Sequence, residues 1–396
     1  NGENLTGEEA IEWEEGFEMT ESSKMDSALL ADLVEVGGVV TEYRGRTLVR
    51  HFGDPAAEYV AATEAAAVFD RSHRGRLKVS GKSPGQMLTG LLTGRIPKTP
   101  SSDGSVTSGI GTYHAVLTAK GKMISDLWAY RLGNKEKEVY LLDVPAAGLS
   151  GLREHLKRFL PPRLATVSDV SAETAAISVV GPDSMLMLGR LALGLRVEPG
   201  SLATAAEGAW FCPGVPDSSS DFALDGIMVV RTEEVWPNAW TVYGPVDAVR
   251  ALWRALTTQG TKLSGLGVWT TLRVEAGRPV FGTDMDETTL PPEVGVLERA
   301  IDHTKGCYTG QEVIVRIRDR GHVNKHLRLL DLGDIPAPRS GAELLASDGS
   351  GKVVGNLTSV VQSPRAQSVV ALGYVRRGVS TVLLGDRSVV VDEIKD

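Results

Sequence analysis

The hydrophobic pattern of this chain alternates between two periods. Residues 75–81, "GRLKVSG", alternate apolar and polar, the period of a half-buried strand ending in a turn. Residues 114–132, "HAVLTAKGKMISDLWAYRL", predict a hairpin with its turn at Lys120-Gly121, and residues 138–144 a further strand. Residues 149–159 carry apolar positions at helical spacing and stop at Pro161-Pro162. Shorter helices are predicted at 27–36, 55–67 and 86–92, and a loop at 98–109, where Pro, Ser and Gly dominate. Residues 175–181 read as a strand, and Pro182 opens a helix to about residue 193. "DGIMVVR" and "AWTVYGP" read as strands, and 246–259 as a helix. Hairpins interleaved with helices imply an α+β core, a sheet covered by helices. From about residue 327 only short strands at regular spacing remain, which predicts a small antiparallel C-terminal barrel or sandwich.

Composition narrows the function classes. The 396 residues suffice for two or three domains, and a formal net charge of -8 argues against general nucleic-acid binding. No apolar run reaches membrane-spanning length, so no membrane partner is expected. Residues 1–24 hold eight glutamates against one lysine and are expected to form a solvated, disordered tail. That segment lacks the Arg-rich, acid-poor character of an organelle transit peptide. With two cysteines and no clustered Cys/His spacing, no metal site is expected, and the compartment is expected to be reducing: the cytoplasm, or an organelle matrix in a eukaryote. Cys212 is placed in a loop-like stretch.

Four stretches carry candidate chemistry. In "TKGCYTGQEVIVR" (304–316), Cys307 stands between glycines, two residues from Lys305, whose charge would favour the thiolate. Gly310 would let the chain turn into a helix starting at Gln311. The competing reading is a structural loop holding a small apolar residue. In "WTTLRVEAGRPVFGTDMDE" (269–287), Trp269 and Glu275 would form a slot for a flat heterocycle, with Arg273 and Arg278 beside them; alternatively Glu275 ends a strand in an ordinary ion pair. Asp126 shares a strand face with Ile124 and Trp128, so it is either paired or functional. In "DRSHRGR" (70–76), Arg71, His73, Arg74 and Arg76 form either a solvated basic turn or a seat for a carboxylate-rich ligand. No nucleophile–base–orienter trio and no Gly-rich nucleotide loop is present in the sequence.

"KGCYTGQE" (305–312) resembles the signature of YgfZ-type folate-binding proteins, which share their fold with glycine-cleavage aminomethyltransferases. "RGHVNKHL" (320–327), "AKGKM" (119–123), "VEAGRPV" (274–280) and "VFDRSHRGRLKVSG" (68–81) are similar to other blocks of that superfamily, so the resemblance runs from about Thr41 to the end. It implies an aminomethyltransferase-like core of two α+β domains around a central cleft at 25–326, and a C-terminal antiparallel β-barrel at 327–396. It implies tetrahydrofolate, or a derivative, as cofactor, with Trp269, Glu275 and Arg273 on the pterin and Arg74 near the glutamate tail. Asp126 falls where the aminomethyltransferases carry their key aspartate. Three departures are visible: the acid-bearing pattern after Arg231-Thr232 is lost, an Arg-Asp-Thr-Leu-Arg run becomes 269–273 "WTTLR", and the Lys-Gly-Cys signature is added. The expectation is therefore a tetrahydrofolate-binding accessory protein for iron–sulfur cluster assembly or repair, acting through Cys307 and Lys305 on assembly proteins or client enzymes. The alternatives are a folate-dependent one-carbon transferase or demethylase using Asp126, and a folate-binding scaffold without chemistry.

Overall fold

The structure, a computed structural model, describes residues 26–104, 106–134, 136–191, 204–213, 226–237 and 239–391. The acidic segment 1–24 and the end of the helix expected at 182–193 lie outside the described residues; Ser184–Arg190 is helical.

Two sheets form the core. One has five strands in the order β10-β4-β9-β8-β7: β4 (Gly75–Ser80), β7 (Thr112–Leu117), β8 (Met123–Arg131), β9 (Val139–Val144) and β10 (Thr166–Asp169). The other has eight in the order β15-β3-β11-β14-β13-β12-β6-β5. Its strands are β3 (Ala67–Asp70), β5 (Ser101–Ser102), β6 (Val106–Ile110), β11 (Thr174–Val180), β12 (Ala209–Pro213), β13 (Met228–Thr232), β14 (Ala239–Pro245) and β15 (Lys262–Ser264). A small hairpin of β1 (Val39–Tyr43) and β2 (Arg46–His51) stands apart in pairing.

Helices cover these sheets, as the α+β reading requires. Helix α1 (Leu30–Glu35), α2 (Pro55–Glu64) and α3 (Pro84–Thr89) begin at or near the expected places; Asp54 caps α2, accepting from the Ala57 amide at 3.0 Å. Helix α4 (Ala146–Phe159) lays Leu149, Leu152 and Leu156 on the five-stranded sheet, with Leu77, Leu127 and Leu142 beneath. Helix α5 (Ser184–Arg190) is followed by α6 (Val246–Thr258), which buries Val249, Leu252, Trp253 and Leu256 against Ile177 and Val242 of the eight-stranded sheet.

Two sequence expectations need correcting. The segment 98–109 is not all loop, because β6 pairs with β12 from Ala209↔Ile110 to Pro213↔Val106. Cys212 accordingly sits in a buried strand, not a loop, and burial pushes its thiol up to about 12. Both errors come from a pairing between segments about a hundred residues apart, which local composition does not encode.

The C-terminal region is a six-stranded antiparallel sheet in the order β16-β19-β18-β17-β20-β21: β16 (Lys325–Gly333), β17 (Glu343–Ala346), β18 (Val353–Ser363), β19 (Ser368–Arg376), β20 (Thr381–Leu384) and β21 (Arg387–Val390). The sheet curls so that its edge strands come near each other, yet β16 and β21 share no ladder; it is a half-barrel and not a closed one. One face of it, through Leu327, Val361, Val370, Leu372 and Tyr374, enters the same apolar cluster as Tyr113, Trp128 and Tyr130 of the core.

Candidate active site

The β7–β8 hairpin builds the site. Its register sets Tyr113 opposite Trp128 and Ala115 opposite Asp126. The Tyr113 hydroxyl donates to Asp126 Oδ2 at 2.7 Å, while the buried Oδ1 has no hydrogen-bond partner. Burial raises the Asp126 carboxyl above the ordinary range, and Arg74 and Tyr113 only partly offset it. Ile124 does not share this face. A bulge opposite Val116/Leu117 shifts the alternation, and Ile124 packs into the cluster under α4.

Aromatic rings wall the acid. The rings of Tyr113 and Trp128 are 5.6 Å apart, those of Trp128 and Tyr130 stack at 6.1 Å, and Tyr130 meets Tyr243 at 5.9 Å. Arg299, from the short helix α8 (Leu297–Ala300), lies over Tyr113 at 4.5 Å and Trp128 at 5.3 Å, and pairs with Glu207. Arg74 pairs with Asp143 at 2.8 Å, and Arg71 with Glu234 at 3.1 Å. Tyr243 donates to Asp143 at 3.1 Å. Burial disfavours the Glu234 carboxylate, but Arg74, Arg71 and Arg299 outweigh it and hold Glu234 below its ordinary value. The cavity among Arg74, Trp128, Tyr130, Asp143, Glu234 and Tyr243 measures about 10 Å³, room for one water.

Sequence reasoning found Asp126 and Arg74 here and missed Tyr113, Asp143, Glu234, Tyr243 and Arg299. Glu234 matters most, because it restores a carboxylate just after Arg231-Thr232, where the acid-bearing pattern reads as lost. The Glu233-Glu234 pair was the available signal. Arg299 had none, since a lone arginine before "AIDHTKG" looks like any surface cation. The "DRSHRGR" turn is buried instead of solvated. Arg76 donates to the carbonyls of Ser72, Arg74, Ser171 and Thr174, and His73 is held neutral by burial and the arginines around it.

The Lys305–Cys307 pair behaves differently from expectation. Lys305 Nζ donates to the carbonyls of Thr89, Leu92 and Gly94 at 2.9, 2.6 and 2.9 Å, just past the end of α3. Those groups are the unsatisfied acceptors of a helix terminus and the turn after it, so the ammonium is engaged there and not by the thiol. Burial pushes Lys305 down to about 8. Cys307 is free and exposed. Helix α9 (Gln311–Arg320) does start at Gln311, and Gly310 before it has φ +85°. A Cβ there would lie 2.7 Å from the Thr118 carbonyl, so this glycine lets α9 seat against the Lys120-Gly121 turn.

The stretch 269–287 is a structural joint. Helix α7 (Leu266–Glu275) carries Trp269, Arg273 and Glu275, so Glu275 ends a helix and not a strand. Trp269 is buried, with the Arg71 guanidinium over its ring at 3.8 Å and Phe69 edge-on at 5.4 Å. The face expected to stack on a pterin therefore meets a guanidinium. Glu275 accepts from Tyr59 and from Ser363 on β18. Arg273 donates to Asp284 at 2.8 Å and to Ser359 on β18 at 2.7 Å, and Asp284 also accepts from Thr358 and Ser359. Arg273 and Glu275 thus bind the C-terminal sheet to the core.

Comparisons with known proteins bear on the family and the fold. The GCVT N-terminal domain family model matches residues 29–305. An aminomethyltransferase of Saccharopolyspora erythraea is 30% identical over 350 residues, covering 86% of this chain and 87% of that one. One of Corynebacterium jeikeium is 28% identical over 371 residues, covering 91% and 90%. The glycine cleavage system aminomethyltransferase T of Bartonella henselae superposes with a TM-score of 0.76 at 18% identity, covering 94% of this chain and 98% of that chain, which shows the shared fold. With its site hairpin and most of its core inside the matched span, the chain belongs to the GCVT N-terminal domain family.

Proposed function

We propose that this protein is a folate-dependent one-carbon transferase acting at Asp126. The observation that carries the reading is the buried carboxylate whose Oδ2 is fixed by Tyr113 and whose Oδ1 is left unpartnered among aromatic walls. A buried acceptor without a partner is costly unless a ligand uses it. Relatives named aminomethyltransferase support the reaction class. In that reading a folate ring nitrogen bonds to the donor's one-carbon unit while that carbon's bond to its leaving group breaks, the leaving group departing with the electron pair and the ring nitrogen losing its proton. Asp126 Oδ1, with its basicity raised by burial, takes that proton or orients the N–H. Trp128 and Tyr113 offer the flat apolar surface a pterin needs, and Glu234 an acceptor for its N–H groups. Because the cavity has room for only about one water, a pterin enters only if side chains around it move, and Arg299 over Tyr113 and Trp128 must also leave those rings for them to stack on it.

The test is tetrahydrofolate binding, followed by Trp fluorescence, alongside one-carbon transfer from an aminomethyl donor to tetrahydrofolate. Transfer by the wild type that disappears in Asp126→Asn, with folate binding retained, supports the reading. Absence of tetrahydrofolate binding would sink it, and binding with no transfer would leave a scaffold.

A second reading, the iron–sulfur accessory role, rests on the exposed free thiol of Cys307. The geometry of Lys305 gives it no support, and the named relatives favour the transferase. Restoration of an iron–sulfur enzyme by wild type and not by Cys307→Ser, in a host lacking its own YgfZ-type protein, would reverse that preference.

A further inference from the structure

The block 320–327 contributes Asn324 and Lys325 to the family resemblance, and the Asp126 cluster uses neither. Lys325 opens β16 directly opposite Arg376 of β19. Directly opposed residues on antiparallel strands point to the same face with Cβ atoms about 5 Å apart, and like charges so placed repel. Among the described residues no carboxylate forms an ion pair with either cation. The Lys325 ammonium lies over the Tyr374 ring at 4.0 Å, which fixes its direction. Asn356 of β18 stands opposite Tyr374, so its amide joins the same face, with one Nδ2 hydrogen donating to the Leu357 carbonyl at 3.4 Å and the other left for a ligand. These side chains and Asn324 border an open cleft of about 540 Å³, a volume typical of small-ligand sites. Glu293 also lines the cleft, with one oxygen engaged by the Leu290 amide at 2.8 Å, and Asp286 lies within electrostatic reach of Lys325.

We propose that this cleft binds a small ligand through a carboxylate or phosphate that bridges Lys325 and Arg376, with the amides of Asn324 and Asn356 as further donors. An oxyanion between two opposed cations converts their repulsion into two charge-assisted hydrogen bonds. Glu293 in the lining disfavours a ligand that presents a negative charge to it and favours one that donates a hydrogen bond there. The proposal is independent of the transferase reading, because neither the two cations nor the two asparagines contact Asp126 or its walls.

The test is an NMR titration of the full chain with inorganic phosphate and, separately, with acetate, against chloride at matched ionic strength. The expected result is saturable shifts at the amides of Asn324, Lys325, Asn356 and Arg376. These weaken roughly tenfold in Lys325→Gln and in Arg376→Gln, the loss of one charge-assisted contact. Response to phosphate alone assigns a phosphorylated ligand, to acetate alone a carboxylate, and to both the shared oxyanion. Shifts that do not saturate, or that both variants reproduce at wild-type strength, overturn the site. Arg376 is exposed, so its variant keeps the test valid if Lys325→Gln fails to fold.

Discussion

The carboxylate of Asp126 is almost wholly buried, yet only one of its oxygens is hydrogen-bonded. Its pKa is raised by burial, so the folded state holds this proton more tightly than the unfolded chain does. Between the unfolded value near 4 and the raised folded value, stability therefore falls as pH rises. Asparagine keeps an acceptor for Tyr113 and removes the charge. Asp126→Asn is thus expected to be at least as stable as wild type at pH 7, by thermal melting, while transfer falls by about 10²-fold or more. In the wild type, transfer is expected to fail as pH drops through a midpoint above the usual carboxylate range, and a midpoint near 4 would count against Asp126 as the base. Lys305 gives the opposite slope. Its folded pKa, about 8, lies below the ordinary lysine value of 10.5, so the unfolded chain binds more protons across that interval and stability gains with rising pH. Lys305→Met leaves three carbonyls without their donor and is expected to cost about 1–3 kcal/mol in denaturant titration and to abolish that gain.

At the scale of elements, α7 joins the core to β18 through a buried ion pair. Both Arg273 and Asp284 are nearly inaccessible, and Asp284 accepts three further hydrogen bonds, from Thr358, Ser359 and the Val280 amide. Removing one partner strands the other charge. Arg273→Ala or Asp284→Ala is expected to destabilise by about 3–5 kcal/mol in urea unfolding. If either changed stability by less than about 1 kcal/mol while abolishing folate binding, Arg273 would return to the ligand site. Which elements were legible follows from the range of the forces that set them. The β7–β8 hairpin, α4 and the Gly310 break before α9 are local in origin, and sequence pattern finds them. The β6–β12 pairing and the β18–α7 joint need partners about ninety to a hundred residues apart or more. So does the Glu234–Arg71 pair, which local pattern does not reveal. The same limit explains the candidate residues. Asp126 was visible as an acid on an apolar strand, while Arg273 and Glu275, flanked by Trp269, looked like ligand chemistry until β18 supplied their partners.

On the scale of the whole molecule, the C-terminal sheet packs as part of the site's support. Leu327, Val361, Val370, Leu372 and Tyr374 share one apolar cluster with Tyr113, Trp128 and Tyr130, the residues that wall Asp126. Tyr374 also donates to the Asp284 carbonyl at 2.8 Å. A second cluster, through Leu330, Leu344, Leu357, Ala371 and Val382, gives the sheet an interior of its own. The boundary drawn at residue 326 therefore separates strand types but cuts through a continuous core. A chain ending at residue 326 would expose the apolar cluster behind the hairpin and leave Arg273, Asp284 and Glu275 without their β18 partners. The expected result is that the intact chain unfolds with coincident near- and far-ultraviolet circular dichroism transitions, as one cooperative unit does. The chain truncated at 326 is expected to lose near-ultraviolet signal and the Asp126-dependent transfer together. Two separate transitions in the intact protein, with the truncated chain still binding tetrahydrofolate, would instead establish the C-terminal sheet as an independent unit, and the support of the Tyr113–Asp126 hairpin would then have to come from the two core sheets alone.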